Sequence, residues 1–285
     1  MTTKIRIVTD STADIPAEMR SRLQIEMVPL KVHFGKDTFL DSVTIQAEQF
    51  YEKLGQSQQL PTTSQPSPVD FLEVFKSLTA DPEVHVISIH LSSALSGTYQ
   101  SAVLAKSLLD DNANITIIDS RSASYGCGML VVEAAEWADA GKSVDEIVNR
   151  VEELRNATGL YFLVDTLEYL QKGGRIGKAA ALFGSLLNIK PILTVDNEGE
   201  ISAVDKIRGQ KKAMVRIIEL LDQHFAGKSI DMTIAHSQSQ GTAEEFGAMI
   251  SNHFDVKKVQ YTSLGPVIGT HVGPGTVAVF AKQAD

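Results

Sequence analysis

Glu83-Val84-His85-Val86-Ile87-Ser88-Ile89-His90-Leu91-Ser92-Ser93-Ala94-Leu95-Ser96-Gly97-Thr98-Tyr99 is the stretch on which the fold turns. Residues 83–90 are rich in Val and Ile and read as a buried strand. Residues 91–97 form a Ser-rich turn, and 98–109 read as a helix. The unit recurs outward from there. Residues 4–9 alternate apolar and polar as a strand, Asp10-Ser11-Thr12 is a loop, and Asp14 is placed to cap a helix running to 22. Residues 26–34 read as one extended segment ended by Gly35, and 46–54 as a short helix. Prolines 61, 66 and 68 forbid a regular helix or a central strand over 60–68. Ser67, Pro68 and Asp70 then start a helix. Residues 114–118 are a further strand, followed by a helix over 128–140. A second helix, over 144–156, opens with a Ser143/Glu146 capping box. Repeated strand–loop–helix order predicts a mostly parallel sheet flanked by helices.

The second half has another texture. A strand over 160–163 and a short helix over 167–171 lead into the Gly-rich loop 172–177. Residues 179–187 read as a helix of small and apolar residues, suited to a cavity wall but more simply to core packing. Residues 191–207 read as a hairpin turning at Asp196-Asn197-Glu198-Gly199. Helices over 211–225 and 243–254 flank a strand over 231–235, the second with a Thr242/Glu245 capping box. Strands over 258–262 and 276–281 bracket a Gly/Pro-rich loop. The expected architecture is α/β: a domain over 1–160, and a smaller α/β domain over 161–285 with a mixed or antiparallel sheet.

The net charge of −9 and pI near 5.3 disfavour nucleic acid and anionic membrane surfaces as main partners. The basic clusters 172–178 and 206–212 are short and read as solvated faces. A single cysteine, Cys127, rules out an internal disulfide, fits a reducing compartment and is placed to be a buried thiol. Residues 84–105 and 259–281 carry no charged side chain, yet Ser, Thr, His, Gly and Pro make them unfit to span a bilayer.

Three loops gather hydroxyls or a histidine beside apolar elements. Thr62-Thr63-Ser64-Gln65-Pro66 precedes a helix start, where free N–H groups favour an anion, or else it simply decorates a Pro-rich turn. Loop 91–97 lies at the carboxyl end of a strand, where open α/β sheets place ligands, or else it is a capping turn. Residues 265–275 hold four glycines and two prolines, and His271 is their only side chain with acid–base capacity. Asp10-Ser11-Thr12 is a fourth candidate, better suited to capping. Nucleophile-elbow, Ser-x-x-Lys, Walker A, Gly-x-Gly-x-x-Gly and His-Glu-x-x-His patterns are all absent from the sequence. Hydroxyls converge without activating machinery, which favours binding over turnover.

Asp10-Ser11-Thr12-Ala13-Asp14, Thr63-Ser64-Gln65-Pro66, Leu95-Ser96-Gly97-Thr98-Tyr99, Gly173-Gly174-Arg175 and Gly269-Thr270-His271-Val272-Gly273-Pro274-Gly275 together resemble the DegV family. They occur in that family's order and run nearly end to end. The resemblance implies two α/β domains clasping a long-chain fatty acid between them. It implies that Thr63 and Ser93 donate to the acyl carboxylate with His271 beside it, and that Thr62 and Ser92 are neighbours. It also implies a separate ATP-dependent fatty acid kinase that phosphorylates the bound acid, with Arg175 and Arg208 at positions tied to the acyl phosphate or to docking the kinase. No metal, no cofactor beyond the bound acid, a cytoplasmic location and at most transient membrane contact are expected. Two other readings compete. One is a serine hydrolase or acyltransferase using Ser93 or Ser96 as nucleophile, His271 as base and Asp10 or Asp165 as orienter. The other is a structural or regulatory protein whose pocket is incidental.

Overall fold

The computed structural model describes residues 4–109, 113–184 and 189–284. From the N-terminus, β1 (Lys4–Asp10) enters a 3-10 turn (Ser11–Ala13), followed by α1 (Ala17–Arg22), β2 (Glu26–Val28), β3 (Lys31–Phe34) and β4 (Asp37–Leu40). Next come α2 (Ala47–Gln56), β5 (Thr62–Ser64), α3 (Pro68–Thr79), β6 (Val84–His90), α4 (Thr98–Ser107), β7 (Ile115–Asp119), α5 (Tyr125–Asp139) and α6 (Val144–Ala157). β8 (Gly159–Leu163), α7 (Glu168–Lys172), a 3-10 segment (Gly177–Leu182), β9 (Ile189–Val195), β10 (Ile201–Arg208) and α8 (Gln210–Phe225) follow. The chain closes with β11 (Ile230–His236), α9 (Gln240–Ser251), β12 (Val256–Ser263), α10 (Pro266–Val272) and β13 (Val277–Gln283).

Three sheets result. The first, in the order β2-β1-β6-β7, is parallel throughout. Its middle strands bury both faces, as a period of two requires. Ile87 and Ile89 pack with Leu130 and Val131 of α5, whereas Val84 and Val86 pack with Phe71 and Phe75 of α3. The second is a small antiparallel sheet, β4-β3-β5. The third runs β10-β9-β8-β13-β11-β12 and is antiparallel except for the β11–β12 pair. One face of it, with Val277 and Val279, packs on α8 and α9. The other, with Phe162, Ala278 and Phe280, turns to Tyr125 and Met129 of α5. The α/β class, the parallel N-terminal sheet and the mixed C-terminal sheet are as the sequence predicts.

Several local expectations are corrected. Residues 26–34 are two strands in two sheets, because Pro29 offers no N–H to continue the first ladder. Asp14 does not cap α1: it ends the 3-10 turn at φ 49°, and α1 begins after Pro16. The start of α9 lies at Gln240, so the Thr242/Glu245 box does not form. Residues 177–182 are 3-10 rather than α, and 185–187 of that expected helix lie outside the described residues. The segment 265–275 is not a loop throughout. Pro266 opens α10 at N1 and Gly273, at φ 73°, ends it.

α10 lies in sequence between β12 and β13 of the C-terminal sheet but packs into the N-terminal half, where Val267 joins Leu30, Val32 and Phe50. The approach is close enough to demand glycine. A Cβ on Gly269 would lie 2.5 Å from Tyr51 Oη and 2.8 Å from Phe50 Cε1. Tyr51 cannot swing aside cheaply, because its hydroxyl donates to Leu264 O at 2.9 Å. Gly269→Ala should therefore lower stability by about 1–3 kcal/mol, the usual cost of overpacking, in urea unfolding. An unchanged midpoint would show that the α2–α10 contact is loose.

Candidate functional site

The packing of α10 carries His271 to the seam between the two halves. Its Nε2 lies 2.8 Å from Thr63 Oγ1 on β5. Its Nδ1 is buried with no hydrogen-bond partner among the described residues. Gly173 lies against that edge: a Cβ there would be 2.4 Å from Nδ1. An unpaired buried N–H costs more than an unfilled lone pair, so the proton belongs on Nε2, donating to Thr63. The Thr63 hydroxyl hydrogen is then free to donate elsewhere. Burial, with the Arg175 charge adding to it, lowers the His271 pKa to about 4, so the ring is neutral at pH 7.

Arg175 stands at the same place. Its Nε donates to Leu95 O at 3.1 Å and one terminal nitrogen to Gly173 O at 2.8 Å. The first bond ties the Gly173-Gly174-Arg175 loop to the turn after β6, across the seam.

Behind these groups lies a cleft of about 840 Å³, counting the space at its mouth. Phe162, Ala278 and Phe280 from the inner face of the C-terminal sheet, with Leu170, Val267 and Val272, give it apolar walls. Thr63, Gln65, Ser96, Ser124, Arg175, His271 and Thr276 are its polar lining. The arrangement can hold a long apolar molecule and offer hydroxyl donors and one cation to an anionic group.

Of the residues singled out from sequence, Thr63, His271 and Arg175 meet here, and Ser96 joins them. The others do not line the cleft. Thr62, next to Thr63 on an edge strand, is exposed, as alternation dictates. Ser92 is fully buried and donates to Gly199 O at 2.8 Å, tying the turn after β6 to the β9–β10 turn. Ser93 is exposed, with its N–H on Asp119. Arg208 is exposed at the end of β10.

The groups named for a hydrolase are dispersed. Ser96 shares a hydrogen bond with Thr98, Asp165 pairs with Lys190, and neither Ser93 nor Ser96 is bonded to His271 among the described residues. A Ser–His–Asp chain does exist elsewhere. His90 Nε2 lies 2.6 Å from Ser88 Oγ, and its Nδ1 3.0 Å from Asp10 Oδ2. All three residues are fully buried and none lines the cleft. Burial pushes the Asp10 carboxyl up, but bonds and charge from His90, with bonds from Thr12 and Leu91, hold it below the usual range. Asp10 thus fixes the loops after β1 and β6; it serves scaffolding. Among the described residues no group of three or more His, Cys, Asp or Glu could hold a metal, and no helix is long and apolar enough to cross a membrane.

A family model described as an uncharacterised protein of the DegV family matches residues 4–284. The chain belongs to the DegV family. A fatty-acid-binding DegV-family protein of Thermus thermophilus superposes with a TM-score of 0.92 at 36% identity, covering 99% of this chain and 100% of that one. DegV of Bacillus subtilis, a fatty-acid-binding protein, gives 0.89 at 38% identity, with 99% and 100% covered. A stearic-acid-binding protein of Eubacterium ventriosum gives 0.90 at 25% identity, with 98% of each chain covered.

In this DegV-family chain, Gln65, Ser124 and Thr276 join the cleft without having been singled out in the sequence. For Ser124 the only sequence signal is its place just before a helix whose start was read three residues late. It takes φ 52° and commits its hydroxyl to Asp14 at 2.6 Å. The electrostatics can be checked by NMR. The His271 imidazole should titrate near pH 4, and Arg175→Gln should raise that midpoint by removing a neighbouring positive charge. A midpoint at the ordinary imidazole value would show the ring to be solvated.

Proposed function

We propose that the protein binds one long-chain fatty acid, its tail in the apolar cleft and its carboxylate at Thr63 and His271. The observation that carries this reading is an apolar cleft with the hydrogen-bonded Thr63–His271 pair in its polar lining, where an Nε2–H tautomer leaves the Thr63 hydroxyl proton free. The fatty-acid-binding proteins that superpose on nearly the whole chain support it. The tail supplies the affinity. Burying ~14 methylenes at ~0.8 kcal/mol each gives at most about 11 kcal/mol, reduced by the cost of ordering the chain and the association itself. The polar end sets direction. A carboxylate entering a dry site must find donors, and Thr63, Ser96 and the Arg175 guanidinium stand at the cleft to provide them.

The same reading has the protein present the carboxylate to a separate ATP-dependent kinase for acyl-phosphate formation, with the protein itself acting as carrier rather than catalyst. Arg175 is partly exposed at the cleft, and Arg208 is exposed within the basic stretch 206–212. These suit them to an acyl phosphate and to a docking partner respectively.

Native mass spectrometry of the purified protein with palmitate tests the binding. One bound acid per chain is expected. Thr63→Val and His271→Ala should each weaken binding by roughly five- to thirtyfold, the worth of about 1–2 kcal/mol for a lost hydrogen bond. No uptake, or unchanged affinity in both variants, would contradict the proposal. For the kinase step, Arg208→Glu should slow phosphorylation of the bound acid while leaving palmitate affinity unchanged. Equal loss of both would remove the docking role.

A further inference from the structure

Two carboxylates from the N-terminal half meet the first turn of α10, the short helix that carries His271 in its last turn. Asp14 Oδ1 accepts the Gly265 N–H at 3.0 Å, and Oδ2 accepts the Ser124 hydroxyl at 2.6 Å. The Asp14 carbonyl accepts the Thr262 hydroxyl at 3.1 Å. Asp41 is fully buried and accepts hydroxyls from Ser11 at 2.7 Å and Ser42 at 3.3 Å. The Val267 N–H also favours its charged form. Asp14 therefore takes the N–H just before Pro266, which has none, and the charge on Asp41 is favoured by the N–H just after it. They converge over one glycine: a Cβ on Gly265 would lie 2.6 Å from Asp14 Oδ1 and 3.5 Å from Asp41 Oδ1. A helix of this length is a rod of about 10 Å, so whatever fixes its first turn fixes the imidazole at its end.

We infer that Asp14 and Asp41 are positioning residues for the ligand carboxylate, acting through α10 on His271, and that the charge on Asp41 sets how firmly they hold. This rests on the acyl-carboxylate reading of the cleft. Among the described residues the titratable groups around Asp41 are Asp14, Asp10 with its ion-paired partner His90, and the Tyr51 hydroxyl, whose own pKa burial and both acids push up. Burial, with the Asp10 charge adding to it, raises Asp41 to about 7. Loss of water, with Asp41 and Asp10 adding to it, puts Asp14 well above the usual carboxylate range. Near neutrality Asp41 therefore passes from a neutral acid beside Asp14 to a negative charge in the seam. That charge works against its neighbours and against an anionic ligand at the far end of α10.

The sign follows from linkage. Asp41 has a folded pKa above its unfolded value, so its contribution to stability is complete below the usual carboxylate range. It is lost as pH rises through about 7. A bound carboxylate raises Asp41 further, so affinity should fall over the same window.

The experiment is palmitate affinity by titration calorimetry between about pH 6 and pH 9, in the wild type and in Asp41→Asn, with thermal unfolding measured alongside. Wild-type affinity is expected to fall roughly three- to tenfold over this range, as a coupling of half to one pKa unit requires. In Asp41→Asn, which mimics the neutral acid, the fall should vanish. The free acid's own titration is common to both proteins and drops out of the comparison. Ser42→Ala removes a bond that favours the charged form, so it should move the wild-type midpoint to higher pH even where Asp41→Asn fails to fold. A pH-independent wild-type affinity, or the same slope in Asp41→Asn, would overturn the inference and leave the fatty-acid reading intact. A wild type that takes up no palmitate at any pH would remove that reading, and this inference with it.

Discussion

The contact between the Asp14 carboxylate and the Gly265 N–H is the constraint on which the cleft depends. It joins the turn after the first strand to a helix near the other end of the chain. Through it the C-terminal segment is drawn into the N-terminal core, where Gly269 lets α10 lie against Phe50 and Tyr51. The apolar inner face of the C-terminal sheet and the apolar elements facing it would by themselves collapse on each other. The clasp at one side, and the Ser92–Gly199 and Arg175–Leu95 bonds at another, hold the halves around a space rather than a seamless core.

What that space can accept follows from charge. The cation at the cleft, Arg175, is already bonded to two carbonyls, and the histidine is neutral. An anion is therefore met mainly by oriented hydroxyls, with a guanidinium at hand rather than a tight ion pair. On the proposed reading, such a site would orient a carboxylate without trapping it, as a carrier that releases or presents its load requires. The buried Ser88–His90–Asp10 chain shows the contrast. There the same residue types are fully satisfied by one another and closed to any ligand.

Sequence reading reached the elements whose causes are local. Ser67, Pro68 and Asp70 cap α3, and Ser143 with Glu146 caps α6, as their spacing requires. His271 stood out because no other acid–base side chain occurs in its segment. Thr63 lies at the cleft, but which of Ser92, Ser93 and Ser96 faces it depends on a backbone path that the turn's composition does not fix. Asp14 was misread for a related reason. An Asp before a helical pattern has the signature of a cap, whereas its true partners, Ser124 and Gly265, lie 110 and 251 residues away. Glycines and prolines dominate α10 and give it the composition of a loop, although Pro at the first turn and Gly just past the last are what bound a helix. The remainder, from the split of residues 26–34 between two sheets to the seam itself, is decided by tertiary contacts.

The most direct test of the account is a crystal structure of the protein with palmitate. The account predicts a carboxylate oxygen within hydrogen-bond distance of Thr63 Oγ1, about 2.7 Å, and a tail running between Phe162, Phe280 and Val272. A reversed chain, with its methyl end at Thr63 and its carboxylate at the opposite end of the cleft, would contradict it.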